Sequence, residues 1–381
     1  MKQHIYADNA ATTKLDSDAL QAMIPYLTEE YGNASQPYSF ARKPKEALRK
    51  ARETIAKCIN AEPEEIYFTS GGTESDNWAI KGATFAAGKE KHILTTNVEH
   101  HAVLNTCKEL ASIGYYIDRL QVDFDSNFDW SISQRELINL LSNTPTSVVS
   151  VMTANNETGA LLAPFTPKTY NIIHSYGALF HTDAVQAVGH IPIDVKRLSV
   201  DMLSASAHKF NGPKGVGFLY VKKGTDIHPF NNGGSQEFGM RAGTENVASI
   251  VGMAVALKNN CDHLEENMQH ITKLETHLMD LLNDSGLDFI RNGAKYHIPG
   301  NISLSFKGAD GEAILHRMDL MGISISTGSA CDSVNSQVSH VIKAIGVPEE
   351  YAKGTIRISL GKYNTLEETE TIVQGLVKIL G

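Results

Sequence analysis

Cysteine is scarce in this sequence. Four cysteines occur in 381 residues, and no two of them have the CxxC spacing. This pattern fits neither a disulfide framework nor a structural zinc site. Cys58, Cys107 and Cys261 lie in stretches of helical periodicity, which predicts that they are small structural residues. Cys331 differs, because glycine and serine surround it in the stretch ISTGSACDS and predict an exposed loop.

Long apolar runs are also lacking. Nowhere do eighteen consecutive apolar residues occur, so the sequence offers no membrane-spanning helix. The first residues, MKQHIYADNAATT, contain no apolar stretch of the kind found in a signal peptide. We therefore expect a cytoplasmic protein with no membrane role.

Positive charge is in deficit. The 34 Lys and Arg residues are outnumbered by 43 Asp and Glu residues, and the formal net charge is -9. This balance argues against a surface that binds nucleic acid. With 42% hydrophobic and 20% charged residues, the chain is predicted to fold around a large core.

Short apolar runs alternate with longer segments of helical period. The predicted strands are 66–69, 92–96, 148–152, 178–183, 202–205 and 216–221, with helices such as 74–87 and 167–176 between them. This rhythm predicts an α/β fold in which helices cover both faces of a sheet. A long helical segment, about 250–282, is followed by shorter strands with glycine-rich turns, which indicates a smaller second domain.

One short segment has the residue types of an anion site. TSGGTE, residues 69–74, predicts the end of a strand, a glycine turn and the start of a helix. Glycines let the backbone approach an anion, and free N–H groups at a helix N-terminus bind phosphate. The segment matches neither GxxxxGK[ST] nor GxGxxG, so a plain capped turn is the alternative.

Two further segments follow predicted strands. In HTDAVQ, Asp183 ends a strand, where doubly wound sheets bind ligands; the alternative is a helix N-cap. In SASAHKFNGPKG, Lys209 is either an amine nucleophile or a surface lysine. A phosphate cradle, a carboxylate and a reactive lysine are together what a pyridoxal phosphate site needs, because they bind the phosphate, pair with the ring nitrogen and form a Schiff base.

Further motifs carry a resemblance to a known family. They are DNAATT (8–13), EH (99–100), NNETG (155–159), RAGTEN (241–246) and the Cys331 loop, in addition to the three segments above. Together they resemble the class V aminotransferase group and, within it, cysteine desulfurases of the NifS/IscS type. The resemblance extends from Asp8 to beyond Arg357, with the motifs in the family's order.

The resemblance implies a fold of two domains. It is the type I fold of pyridoxal-phosphate-dependent transferases, with a mostly parallel sheet between helices in the large domain and a smaller α/β C-terminal domain. We expect the large domain at residues 16–255. The small domain is expected at 1–15 and 256–381 and carries the Cys331 loop.

The resemblance also assigns residues to the cofactor ring. It implies that Lys209 holds pyridoxal 5′-phosphate and that Asp183 keeps its ring nitrogen protonated. His100 would stack on the ring and move protons, whereas His101 is interpreted as a packed histidine. Gln186 would contact the phenolic oxygen of the ring.

The remaining assignments concern the phosphate and the substrate. The phosphate would be bound by Gly72, Thr73, Ser206 and His208, together with Thr244 of the partner subunit, so a homodimer is implied. Asn156, which would also contact the cofactor, and Arg357 would hold the substrate carboxylate. From the pattern alone, Arg357 would be a charge at a sheet edge.

The resemblance gives Cys331 a function. It implies conversion of L-cysteine to L-alanine, with the sulfur received by Cys331 as a persulfide. The sulfur would then pass to an acceptor, either an iron-sulfur scaffold or a thiolation enzyme. A thiol that must reach both the cofactor and an acceptor suits a loop of glycine and serine.

Several positions depart from the family's usual residues. Ala207 and Ser235 stand where glycine is more usual, Phe238 stands where arginine is, and the segment 33–38, which ends in Tyr38, lacks a usual histidine. A selenocysteine lyase or aminotransferase with the same cofactor site stays an alternative. So does a non-catalytic sulfur-handling protein of the same fold.

Overall fold

A computed structural model describes residues 4–88, 92–124, 130–162, 167–327 and 338–381. The strands are β1 (Ile5–Tyr6), β2 (Ile66–Thr69), β3 (His92–Thr96), β4 (Tyr116–Leu120), β5 (Val122–Phe124), β6 (Trp130–Ile132), β7 (Thr146–Ser150), β8 (Leu179–Asp183), β9 (Met202–Ser206), β10 (Gly217–Val221), β11 (Phe289–Asn292), β12 (Asn301–Phe306), β13 (Ile323–Ser324), β14 (Ser326–Thr327) and β15 (Thr355–Ser359). The helices are α1 (Ser17–Thr28), α2 (Arg42–Cys58), α3 (Gly72–Ala86), α4 (His101–Ser112), α5 (Gln134–Asn143), α6 (Pro167–Ser175), α7 (Val195–Leu198), α8 (Val247–Asp262), α9 (Leu264–Asp284), α10 (Gly311–Leu320), α11 (His340–Ala344), α12 (Glu349–Ala352) and α13 (Leu366–Leu380).

The central sheet has the strand order β2-β10-β9-β8-β7-β3-β4. From β9 to β4 the neighbouring strands are parallel, and β10 runs antiparallel to both of its neighbours. Parallel strands end at the same edge, so the ends of β8 and β9 lie side by side, with Asp183 paired to Ser204. This is the edge at which such sheets bind ligands.

Neighbouring residues of each central strand are buried on opposite faces of the sheet. Ile93, Val148, Met202 and Leu219 pack with Trp78 in one core. The residues beside them belong to a different core: Leu94, Val149, Leu203 and Phe218. A strand buried on both faces has no regular alternation of exposed polar and buried apolar residues, and nearly every residue of these strands is buried. The predicted α/β architecture is confirmed.

A second sheet follows in the chain, with the antiparallel order β11-β12-β15-β14. Its core includes buried leucines and isoleucines of α9, α10 and α13. Strand β1 pairs in parallel with β13 as a separate two-stranded sheet, and Ile5 is buried in the same core. A boundary at residue 255 stays a prediction, since α8 runs through that position.

Two predicted segments differ most from those observed, while the others agree or differ by one or two residues at their ends. Strand β7 ends at Ser150 rather than 152, although Val151 and Met152 are buried beyond it. An apolar run shows burial, but it does not show where strand pairing stops. The helical segment 250–282 is in fact two helices, α8 and α9, which separate at His263. No glycine or proline marks that break.

Among the described residues, no helix combines the length and the apolar character that a membrane crossing requires.

A buried carboxylate joins α9 to the second sheet. Glu275 accepts hydrogen bonds from His297 Nε2 and from the backbone N–H of Gly300, both at 2.6 Å, and pairs with Arg291. Burial raises the pKa of Glu275, but the contacts with His297, Arg291 and Gly300 lower it overall. The hydrogen bond with Glu275 raises the pKa of His297. The cluster is therefore a charged network inside the fold.

We expect Glu275→Ala to lower the free energy of unfolding by about 3 kcal/mol, because removing one partner of a buried ion pair leaves the others uncompensated. The matched control is Glu370→Ala, whose carboxylate makes a more exposed contact with His277 at 3.4 Å. That change is expected to cost less than about 1 kcal/mol. Urea unfolding followed by circular dichroism measures both, and equal losses would contradict the prediction.

Candidate active site

A cavity of about 620 Å³ lies at the carboxyl ends of β8 and β9. Its volume is typical of a small-molecule site. Most of the predicted site residues line it: Gly72, Thr73, His100, Asn156, Asp183, Gln186, Ser206, His208, Lys209 and Arg357. The fold thus brings together segments that are far apart in the sequence. The individual roles of these residues stay predictions.

One wall of the cavity is the turn from β2 into α3. Gly71 has φ 149° and ψ −175°, a conformation that is essentially restricted to glycine. A Cβ atom on Gly72 would lie 2.5 Å from Val185 Cγ2. Ser206 and His208 line the cavity near this turn. The free N–H groups of the first turn of α3 make this wall suitable for a phosphate group.

Lys209 contacts the N-terminal segment of the chain. Its Nζ donates hydrogen bonds to the carbonyl oxygens of Ala10, at 2.6 Å, and Ala11, at 2.9 Å. Gln186 Nε2 also donates to Ala10 O, at 3.1 Å. The segment is fixed in turn by the second sheet, because Ala10 N donates to Ser359 Oγ at 2.9 Å. Carbonyl acceptors therefore aim the lysine amine into the cavity.

Asp183 is the buried carboxylate of the site. Its Oδ1 accepts a hydrogen bond from the Val185 backbone N–H at 2.9 Å, so the helix-capping interaction and the ligand-facing position coexist. Burial raises the pKa of Asp183, whereas the Val185 N–H and the positive charge of Lys209 lower it. A desolvated carboxylate binds a cationic group strongly. This environment suits a protonated ring nitrogen.

Three of the histidines that line the cavity, His100, His101 and His340, are neighbours. His100 Nδ1 accepts a hydrogen bond from Ala102 N at 3.1 Å, so the neutral ring carries its proton on Nε2. Burial, together with the charges of Lys209 and His101, lowers the pKa of His100 to about 4. His101 also lines the cavity, and its ring lies 5.0 Å from that of His340. His340 Nε2 donates to the carbonyl oxygen of Glu99 at 3.0 Å.

Arg357 reaches the cavity from β15 of the second sheet. It is 3% exposed, and its Nη1 donates to the Asn156 carbonyl oxygen while its Nη2 donates to Asp8 Oδ1, both at 2.8 Å. Its Nε is buried and has no hydrogen-bond partner among the described residues. The guanidinium is thus fixed by the chain and retains donor capacity for a carboxylate.

Two predicted residues are not among those that line the cavity. Thr244 is exposed and borders a separate surface depression. Its segment is tied to the α3 turn by Arg241, whose Nε donates to Glu74 Oε1 at 2.8 Å and whose Nη2 donates to Glu74 Oε2 at 3.2 Å. Cys331 lies outside the described residues.

The structure adds a carboxyl group that the motifs did not indicate. Asp76 lines the cavity and is buried beside Asp183. Its signal in the sequence is the helical spacing to Ala79, Ile80 and Ala83, all of which are buried on the same helix. An acidic residue at such a position is turned toward the interior.

The departures from the family's usual residues do not line the cavity. Phe238 is 64% exposed with φ 59°, its ring packs edge-on against Tyr67 at 6.0 Å, and Arg52 lies 5.1 Å from its centroid. Arg52 also pairs with Glu237 at 2.7 Å. Ala207 is buried. None of these departures therefore changes a residue that lines the cavity.

Comparison with known proteins defines the class first. The sequence model of the family "Aminotransferase class-V" matches residues 5–372 of the chain. Two solved structures described as NifS-like proteins share the fold. One has a TM-score of 0.91 and 37% identity, with 99% of each chain covered. The other, from Rickettsia africae, has a TM-score of 0.87 and 31% identity, also with 99% of each chain covered.

Sequence relatives then define the family. The cysteine desulfurase IscS of Dictyoglomus turgidum is 46% identical, over 100% of this chain and 95% of the relative. The cysteine desulfurase NifS of Azotobacter vinelandii is 41% identical, over 99% of this chain and 92% of the relative. The chain belongs to the cysteine desulfurases, as its motifs predicted.

Cysteine desulfurases of this class depend on pyridoxal phosphate, and the cavity fits that group. The α3 turn has the close-approach glycines and free N–H groups that a phosphate requires. Asp183 would supply a buried acceptor for the ring nitrogen, and Lys209 would supply an amine for the aldehyde. The cavity therefore contains residues suited to the phosphate, the ring nitrogen and the aldehyde of the cofactor.

We expect Gly71→Ala to weaken pyridoxal phosphate binding by about tenfold or more, because a side chain is strained at this φ and would move the α3 turn. The matched control is Gly177→Ala, since Gly177 also has a positive φ, of 79°, and has no atom within 4 Å of an added Cβ. Both variants should lose some stability, but only Gly71→Ala should lose affinity. Absorbance titration of the apoprotein with the cofactor measures this, and unchanged affinity in Gly71→Ala would refute it.

Proposed function

We propose that this pyridoxal-phosphate-dependent cysteine desulfurase converts L-cysteine to L-alanine through the residues of the 620 Å³ cavity and through Cys331. The observation that carries the proposal is the convergence of Lys209, Asp183 and Arg357 on one cavity. They supply a base, a counter-ion for the cofactor and a cation for the substrate. No two of the three belong to the same strand or turn.

The cofactor is held by residues at three sides of the cavity. Gly72, Thr73, Ser206 and His208 bind the phosphate group, Asp183 pairs with the ring nitrogen, Gln186 contacts the ring oxygen, and His100 and Asn156 contact the ring. Burial and the nearby Lys209 and Lys214 lower the pKa of His208 to about 4, so it contributes a neutral ring at this site. Pyridoxal phosphate, when bound, withdraws electrons from the Cα atom of the attached amino acid.

The substrate carboxylate binds Arg357 and Asn156. The electrostatics of Arg357 support this role, since its guanidinium group is buried and has one carboxylate partner, Asp8, at 2.8 Å. Its unpaired Nε can donate to an incoming carboxylate. This contact fixes the α-carbon of the substrate relative to Lys209.

Lys209 and His100 have different roles, the first as the base and the second as a hydrogen-bond donor in the same cavity. The Lys209 amine takes the proton from the substrate Cα. The Ala10 and Ala11 carbonyl oxygens accept hydrogen bonds from that amine and hold it in position. His100 is neutral at physiological pH, with its proton on Nε2. Because its pKa is about 4, His100 acts as a hydrogen-bond donor and not as a general acid, and its Nε2–H can orient the substrate in the cavity.

Cys331 receives the sulfur. Its thiolate attacks the sulfur atom of the substrate, so that the S–S bond forms while the C–S bond breaks. The electron pair of the C–S bond stays with the carbon fragment, which takes up a proton and leaves as alanine. The persulfide on Cys331 then passes its outer sulfur to an acceptor protein, an iron-sulfur scaffold or a thiolation enzyme.

Thr244 acts on the site of a second copy in a homodimer. Its exposed position outside the cavity supports this role, because a residue that reached its own cavity would line it. The Arg241–Glu74 pair would then couple the α3 turn of one subunit to the residue offered to the other.

We expect Lys209→Ala to lose the covalent attachment of the cofactor and all alanine production, because the only amine at the end of β9 is removed. Lys214→Ala is the control, since Lys214 also lines the cavity but lies beyond the turn. Borohydride treatment followed by peptide mass spectrometry reads out the attachment. A reducible adduct in Lys209→Ala would overturn the assignment.

We expect Cys331→Ser to bind pyridoxal phosphate and cysteine normally but to form alanine at least about a hundredfold more slowly, because a serine hydroxyl is hardly ionised at neutral pH. Cys261→Ser is the matched control and should keep the parent rate. Alanine and persulfide are measured in parallel after cysteine is added. Alanine formation by Cys331→Ser at the parent rate would remove Cys331 from the mechanism and favour a lyase or an aminotransferase.

A further inference from the structure

A row of polar side chains lies buried behind Asp183. Ser150 Oγ is 2.8 Å from His181 Nδ1, and His181 Nε2 is 2.9 Å from Ser204 Oγ. Asp76 follows, with its Oδ1 3.7 Å from His181 Nε2, and its carboxyl group interacts with Ser204 and Asp183. All five residues are 5% exposed or less. The row crosses β7, β8 and β9 and ends on α3.

Burial fixes the proton count of this row. It lowers the pKa of His181 to about 3, so the imidazole is neutral and has one N–H. Burial and the neighbouring charge of Asp183 raise the pKa of Asp76 well above its usual value. Asp76 Oδ1 has no hydrogen-bond partner among the described residues, which further disfavours a charge on it. Of the two carboxyl groups, Asp183 is the ionised one, because the Val185 N–H and Lys209 stabilise its charge.

With these protons, the hydrogen bonds can run in only one direction. An ionised Asp183 can only accept hydrogen bonds. The single carboxyl proton is therefore on Asp76, which donates a hydrogen bond to Asp183. Ser204 must then donate to Asp76, which leaves Ser204 Oγ to accept from His181 Nε2–H. His181 Nδ1 consequently accepts from the Ser150 hydroxyl. Each donor in the row therefore points toward Asp183.

We propose that Ser150, His181, Ser204 and Asp76 form a one-way chain of hydrogen bonds that holds Asp183 ionised and fixed, with Asp76 and His181 as positioning residues for the cofactor ring nitrogen. The proposal rests on the assignment of Asp183 under Proposed function. The assignment says what Asp183 binds, whereas the hydrogen-bond chain explains why this buried carboxylate stays ionised and can accept a hydrogen bond from the ring nitrogen. Asp76 and His181 themselves act only through other side chains.

Other titratable groups face this row and enter its pH dependence. Lys209 lies on the cavity side of Asp183 and favours its charge. Glu99 is near both carboxyl groups, and burial raises its pKa to about 8, so it is neutral at pH 7. On α3, Glu74 is paired with Arg241. At neutral pH the only anion of the row is therefore Asp183.

The test compares Asp76→Ala with Asp76→Asn in the holoenzyme. An amide keeps a donor toward Asp183, whereas alanine removes it. Without the donor, Asp183 becomes more basic and leaves less positive charge on the ring, so the cofactor group held by Lys209 becomes more basic as well. For Asp76→Ala, we expect the pH midpoint of the visible absorbance of the bound cofactor to rise by about one unit. Asp76→Asn should stay near the parent value.

Three outcomes of the absorbance titration decide the proposal. A shift in Asp76→Ala with rescue in Asp76→Asn supports it. A parent-like midpoint in Asp76→Ala, or equal shifts in both variants at an unchanged melting temperature, overturns it. Asp183→Asn is titrated in parallel, because a parent-like spectrum in that variant would overturn the assignment of Asp183 itself, independently of Asp76.

A measurement on the unaltered protein covers the case in which Asp76→Ala does not fold. Nitrogen-15 NMR of histidine-labelled holoenzyme reports which ring nitrogen of each histidine carries a proton. The His181 signal is identified by its loss in His181→Gln. A proton on Nε2 at pH 7 supports the one-way chain, and a proton on Nδ1 overturns it.

Discussion

The desolvation of Asp183 is the constraint on which the site depends. A carboxylate at the end of a buried strand is unfavourable unless cations and donors surround it. In this chain the Val185 N–H and the Lys209 amine supply them from within the cavity. Lys209 is itself held by the carbonyl oxygens of Ala10 and Ala11. If Asp183 were exposed, water would stabilise the carboxylate and weaken its attraction for a neighbouring cation.

The cavity needs both sheets. The central sheet contributes the ends of β8 and β9 and the turn into α3, whereas the second sheet contributes Arg357 from β15. Asn156, which follows β7, joins the two because its carbonyl oxygen accepts a hydrogen bond from Arg357 at 2.8 Å. Since the proposed base and the proposed carboxylate ligand come from different cores, their separation depends on how the two cores pack against each other.

Local patterns in the sequence predicted much of the fold and of the site. Strands β2 and β3 have the predicted bounds, and TSGGTE forms the predicted strand, turn and helix start. Asp183 and Lys209 both follow strands, as expected. Each of these features is encoded within a few neighbouring residues, where strand periodicity and glycine content can reveal it.

Features that depend on distant pairing could not be predicted in this way. Arg357 reads as a sheet-edge charge, yet β15 lies inside its sheet and the residue is buried. The contact of Asp76 with Asp183 and that of the His101 ring with the His340 ring join segments that no periodicity relates. The assignment of Cys331 depends on family resemblance alone, because that residue lies outside the described ranges.

The N-terminal segment also governs when the site can form. Strand β1 is synthesised first, but its partner β13 and the Arg357 that pairs with Asp8 belong to the last part of the chain. Contacts of such sequence separation form late, because the intervening chain must be ordered before they close. A nascent chain would therefore complete the central sheet well before it gained a working pocket. The pocket is therefore complete only after the segment that contains Arg357 has been made and has folded.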